Sequence, residues 1–144
     1  MKGLRLGLGV TAGLLFLALI VVAPQGLPDS RVFGYTADEI DLWALNSYAV
    51  ELAAGPVFLL DMLFPAALAG FLLTLLPRWA FWLPFAYAAL DYRENIVLRA
   101  YYDGLGAAVP LSPWASTLTQ AKWISLALAL AVIVWTVAGT RRQA

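Results

Sequence analysis

Residues Trp79–Tyr101 read WAFWLPFAYAALDYRENIVLRAY. The first half is apolar and opens on two tryptophans. The second half carries Asp91, Arg93, Glu94 and Asn95. A helix needs about 20 mostly apolar residues to cross the roughly 30 Å hydrocarbon core of a bilayer. This stretch has that length. Trp79 and Trp82 stand at one end and Tyr101 and Tyr102 at the other, where interfacial aromatics belong. We read it as a membrane span loaded with ionisable groups. Such groups cost about 2.5–3.5 kcal/mol each on insertion scales, so they face the protein interior and take partners there.

The remainder of the chain has the composition to supply those partners. Of its 144 residues, 62% are hydrophobic and 12% are charged. Soluble domains run near 45–50% apolar and about 25% charged. The balance excludes disorder and an ordinary soluble domain. Three further apolar runs lie at 6–23, 47–76 and 116–138, beside the one at 79–101. The first follows Lys2 and Arg5 and so also has the outline of a signal peptide. Its length exceeds the usual apolar stretch of about 7–15 residues, and Val21-Val22-Ala23 is followed by Pro24, which suits cleavage poorly. It is read as a retained helix. Gly55-Pro56 and Pro65 are expected to bend the second run, which ends at Pro77-Arg78.

The connection at 24–46 is broken by Pro24, Gly26 and Pro28. Thr36-Ala37-Asp38-Glu39 has the form of a capping box and predicts a helix from Ala37. Asp38, Glu39 and Asp41 suit the positive end of its dipole. Ile40, Leu42, Trp43 and Leu45 are expected on the membrane surface. Residues 102–115 read as a loop. The expected fold is therefore all-α: one domain over 1–144, a transmembrane four-helix bundle with a short outer amphipathic helix before the second span.

Lys2, Arg5, Arg78, Arg141 and Arg142 fall on one side of such a fold. The loops of the other side hold Arg31, with Arg99 near a helix end. The positive-inside rule then places both termini in the cytoplasm. The chain has no cysteine and no histidine. That removes thiol chemistry, zinc–thiolate sites, the usual general base and the usual haem ligand. With a net charge of +0 and no basic patch, nucleic acid is not an expected partner. No cofactor is implied.

Within the spans stand Glu51 and Asp61 on the second, Asp91, Arg93 and Glu94 on the third, and Lys122 on the fourth. At about 1.5 Å rise per residue, Asp61, Glu94 and Lys122 all fall roughly 9–11 Å below the outer surface. Asp91 lies one turn deeper. Asp91, Glu94 and Asn95 share a helix face at i, i+3 and i+4. Tyr87 precedes that face, and Leu98 and Tyr102 continue it. Arg93 points away from it. Pro65 lacks an N–H, so the carbonyl of Asp61 loses its helical donor and becomes a candidate acceptor. One polar cluster of Asp61, Asp91, Glu94, Asn95 and Lys122 is the expectation.

Such a cluster supports three readings. It can hold a small molecule or lipid headgroup reached from the outer face. It can lock the helices of a structural or assembly subunit, in which case Asp91→Asn would strand Lys122 and destabilise the fold. It can serve a small ion-coupled carrier, which would need homo-oligomerisation because four helices enclose little space. A Ser–Lys catalytic pair of Ser125 and Lys122 is a weaker reading, and an enzyme is not favoured. Nor do Asp61, Asp91 and Glu94 have the loop spacing of a calcium site, so no metal is expected.

Leu60-Asp61-Met62-Leu63-Phe64-Pro65, Pro84, Ala89-Leu90-Asp91-Tyr92-Arg93-Glu94-Asn95 and Thr117–Lys122 together resemble a group of uncharacterised small bacterial four-helix integral membrane proteins. These carry D-x-x-F-P-like and D-Y-x-E-N-like motifs on the second and third spans, and a threonine-and-lysine start to the fourth. The resemblance covers about residues 35–135. It implies a multi-pass protein of the bacterial inner membrane and a polar cluster common to the group. It implies no activity or substrate.

Overall fold

A computed structural model describes residues 2–22, 32–44, 53–103 and 114–141. The elements are helical throughout, with no strand among the described residues. Helix α1 spans Lys2–Val22, α2 Ala37–Ala44, α3 Phe58–Leu73, α4 Trp82–Asp103 and α5 Ala115–Arg141. Among the described residues, three segments are long and apolar enough to cross a membrane: Lys2–Val22, Gly55–Leu73 and Ala115–Gly139. Their exposed residues include Leu4, Leu14, Ile20, Leu59, Leu63, Ile124, Val134 and Trp135, the surface a bilayer would cover.

The capping box forms as the sequence predicts. The backbone N–H of Thr36 donates to Glu39 Oε2 at 2.8 Å, and the Glu39 N–H donates to Thr36 Oγ1 at 3.3 Å. Two free donors of the helix start are thereby met reciprocally. Ile40 does not lie on an open surface: it is 2% exposed and packs into the protein, while Leu42 is exposed. An eight-residue helix has two faces, and the cap fixes where it starts without choosing which face turns inward. The Trp43 side chain and Leu45 lie outside the described residues.

The break expected at Gly55-Pro56 is present. Residues Ala53–Val57 form a widened π-type turn in which Gly55 departs from helical backbone, with φ −111° and ψ −108°. Regular α-helix follows from Phe58. The other end of α3 closes where Thr74 Oγ1 donates to the Phe71 carbonyl at 2.7 Å. Pro77 is extended, with φ −68° and ψ 152°, and a short 3-10 turn over Arg78–Ala80 leads into α4.

Packing follows chain order: α1 lies on α3, α3 on α4, and α4 on α5. Glycine allows the first contact. A Cβ on Gly9 would stand 3.0 Å from the Phe71 ring, tighter than side chains normally pack. Phe16 and Phe64 add a tilted ring pair at 5.8 Å. Arg5 donates to the Thr74 carbonyl at 2.6 Å, tying the start of α1 to the end of α3. Near that end, Leu72, Leu76, Ala80, Leu83 and Ala129 form a buried apolar core. Against lipid, such a core holds by van der Waals fit rather than by exclusion of water.

Helix α4 buries one stripe from end to end: Leu83, Pro84, Tyr87, Asp91, Glu94, Asn95, Leu98 and Tyr101. The spacing of three and four residues is that of one helix face. Tyr101, expected at an interface with water, is instead 4% exposed on this stripe. Its phase relative to Tyr87, Asp91, Glu94 and Leu98 decides its direction, and position near a helix end does not. The Tyr102 side chain lies outside the described residues. Trp79 and Trp82 are each 60% exposed, as interfacial anchors are.

Candidate functional site

The middle of the α4 stripe is polar, and its partners come from both neighbouring helices. Lys122 Nζ on α5 lies 2.8 Å from Asp91 Oδ1 and 2.7 Å from Glu94 Oε2. One ammonium thus bridges two carboxylates set one turn apart on α4. The Asp91 contact is a hydrogen bond, whereas the Glu94 contact is an ion pair without good hydrogen-bond alignment. Asn95 Nδ2 donates to Asp91 Oδ2 at 3.3 Å, within the same helix. Thr119 Oγ1 donates to Glu94 Oε1. The five residues are sealed, with exposures of 3% for Asp91, 0% for Glu94, 4% for Asn95, 0% for Thr119 and 2% for Lys122.

Charges buried this deeply persist only when paired and hydrogen-bonded. Each of the four carboxylate oxygens has a partner, through Lys122, Asn95 and Thr119. The depth arithmetic explains why the partners meet. Lys122 and Glu94 were placed at one level, and a lysine side chain is long enough to reach Asp91 one turn away. Thr119 carries no such signal by itself. A threonine in an apolar helix satisfies its hydroxyl on its own backbone, as Thr119 can on the Ala115 carbonyl at 3.2 Å. What marks it is spacing: it stands three residues before Lys122 and shares its face.

Helix α3 enters the cluster through its backbone. Asn95 Nδ2 lies 3.4 Å from the carbonyl oxygen of Asp61. That carbonyl would ordinarily accept from the N–H of residue 65, which is proline and has none. Pro65 is itself buried. So Asn95 spans two helices, taking up an acceptor on α3 and orienting Asp91 on α4. The Asp61 side chain is half-buried.

This arrangement makes a quantitative expectation. Asn95→Ala leaves the Asp61 carbonyl without its α4 donor and should lower stability by about 1 kcal/mol, the usual worth of such a bond. In a Pro65→Ala background, residue 65 regains an N–H, and the penalty of Asn95→Ala should shrink. The coupling is read from thermal unfolding of the four proteins in detergent. Equal penalties in the two backgrounds would sink this account of Pro65.

The other ionisable residues stand apart. Arg93 is exposed. Arg99 pairs with Asp103 at 3.0 Å and lies over the Phe58 ring at 5.3 Å, tying the end of α4 to the start of α3. Ser125 donates to the Ala121 carbonyl at 2.9 Å, so its hydroxyl is engaged by its own helix. Glu51 lies outside the described residues. Among the described residues no group of three His, Cys, Asp or Glu is placed to hold a metal ion.

Chemically, the cluster can stabilise a positive charge or a hydrogen-bond donor. Two carboxylates face one ammonium, so the formal charge of the triad is negative. The lysine is already held by both acids, which leaves it poorly placed to receive an anion. Comparison with protein-family models, with curated proteins and with solved structures finds no match.

Proposed function

We propose that this chain is a multi-pass membrane protein of the bacterial inner membrane, with four spans arranged as a bundle, and that its buried polar cluster binds the cationic or donor group of a small molecule or lipid headgroup from the outer face. Asp61, Asp91, Glu94, Asn95 and Lys122 are the proposed site, with Thr119 added to them. The observation that carries the reading is the triad itself: Asp91 and Glu94 converge on one lysine, two carboxyl groups against one amine, at the interior of apolar helices. Ionisable groups inside a membrane mark binding or transport sites by default.

The span to be added to the three apolar ones, third in chain order, is α4. Its 22 residues extend about 33 Å, enough to cross, and it packs between α3 and α5, which are themselves apolar enough to do so. Asp91 and Glu94 turn inward onto Lys122 of α5, while Arg93 is exposed. The sidedness is supported by the Arg5–Thr74 contact, which sets Lys2, Arg5 and the Arg78 turn at one end of the helices. That end is the cytoplasmic one by the positive-inside rule. The α2 helix then lies on the outer face.

A second reading is favoured by a separate observation. Every oxygen of Asp91 and Glu94 is already partnered, so the cluster is complete as a lock between α4 and α5. Native mass spectrometry separates the two. The wild type is gently extracted and compared with the charge-free variant Asp91→Asn/Glu94→Gln/Lys122→Met. A bound mass present only in the wild type is the expected result. A wild type that carries no such mass returns the cluster to the role of a lock.

A further inference from the structure

We infer that residues Val32–Ile40 form a cover over the outer end of the seam between α4 and α5, and that water and solutes reach the Glu94–Lys122 cluster by its opening. The proposal takes its sidedness from the reading above, in which the first turn of α5 faces outward. Its geometry is independent of any ligand.

The segment is fastened to α5 by backbone. The Tyr35 N–H donates to Ser116 Oγ at 2.9 Å, and Gln120 Nε2 donates to the Phe33 carbonyl at 2.8 Å. Between the two bonds lies Gly34, with φ +89°. Only glycine takes that backbone conformation without strain. A Cβ there would also run into the side chains of both Gln120 and Ser116. The close approach of the segment to α5 therefore depends on that residue. Two side chains of the segment are buried, Tyr35 at 8% exposure and Ile40 at 2%.

What lies beneath is the polar line of α5. Ser116, which holds the cover, stands three residues before Thr119, which holds Glu94, and Thr119 stands three before Lys122. These steps place each on the same side of the helix as the next. Ala115, the first residue of α5, is 0% exposed. The route from the outer surface to Lys122 along this face is about two helical turns, and the segment is hydrogen-bonded to Ser116 at its start.

Of the Tyr35–Ser116 and Gln120–Phe33 hydrogen bonds, the second is exposed to solvent, and neither involves a charged group. The cluster beneath is held by ion pairs between long helices. Local opening of a short segment at the surface precedes unfolding of the long helices it rests on. The cover can thus lift while the triad stays assembled, which is what a site closed in its resting state requires.

The absence of cysteine from the chain makes the test direct. A single reporter, Thr119→Cys, is placed at the buried end of the seam. A charged, membrane-impermeant methanethiosulfonate is added to the outer face of the protein in proteoliposomes of known orientation. The labelling rate is compared in three backgrounds: otherwise wild type, Gly34→Val, and Ser116→Ala/Gln120→Ala. The expected result is slow labelling in the first and acceleration of about tenfold or more in the other two, since each loses a fastening of the cover. Ala115→Cys serves as reporter if Thr119→Cys does not fold.

Ala129→Cys, in the apolar core, reports general unfolding and should stay unlabelled throughout. Equal rates in all three backgrounds overturn the cover, whether or not a ligand is found on the cluster. Acceleration that extends to Ala129 also overturns it, because the opening would then not be local. Failure to find a bound mass bears on the proposed ligand site and leaves the labelling result as it stands.

Discussion

Lys122→Met is expected to lower stability by about 3–5 kcal/mol, the cost of leaving buried charge without its counter-charge. Asp91 Oδ1 and Glu94 Oε2 both point at the missing ammonium, and each is within 2.8 Å of it now. Without it, two carboxylates one helical turn apart face each other at less than 5% exposure. Methionine supplies the volume of the lysine stem, so the loss reads the charge and not a cavity. Unfolding in detergent, followed by heat or denaturant, measures it. The charge-free variant Asp91→Asn/Glu94→Gln/Lys122→Met should recover most of the loss, since neutral groups of similar shape replace buried ion pairs with little penalty. A single variant Lys122→Met within about 1 kcal/mol of wild type would mean that the cluster is wet, because water screens charges that the protein leaves unpaired.

How far this site could be read in advance depends on which physical rule governs each residue. Helix rise is regular, so depth along a span is arithmetic, and it brought Lys122 to the level of Glu94 from sequence alone. Helix phase is equally regular and joined Asp91 to Asn95. The effect of Pro65 on the Asp61 carbonyl follows from covalent structure, and the structure shows an α4 side chain donating to that oxygen.

The residues that escaped are those whose direction is set by tertiary packing. Thr119 is chemically silent in an apolar helix until a carboxylate stands opposite. Tyr101 carries the same ring whether it faces lipid headgroups or a helix neighbour. Ile40 sits on a helix whose start is legible and whose orientation is not. The positive φ of Gly34 leaves no mark in the letters around it. Helix α3 begins regular geometry at Phe58, because Gly55 and Pro56 interrupt the turn before it, and Ser47–Leu52 lie outside the described residues.

The two acids should prove interchangeable singly and indispensable together. From spacing alone, Asp91→Asn was expected to strand Lys122. The geometry removes that expectation, because Lys122 keeps Glu94 at 2.7 Å when Asp91 is neutral, and keeps Asp91 at 2.8 Å when Glu94 is. Each single neutralisation also removes the excess formal charge of the triad and leaves an amide whose one oxygen can still accept from one of the two donors. Asp91→Asn and Glu94→Gln are each expected to change stability by no more than about 1 kcal/mol. The double variant leaves an ammonium at 2% exposure with no carboxylate, and its loss should reach about 3–5 kcal/mol. The excess over the sum of the singles is the coupling through Lys122, and a double-mutant cycle in detergent measures it. A large loss from either acid alone would show that both charges are needed at once. One lysine cannot balance two carboxylates, so that outcome would require a second cation in the folded protein and would strengthen the case for a bound ligand. Additive, small effects would place Lys122 among waters and end the case for a sealed cluster.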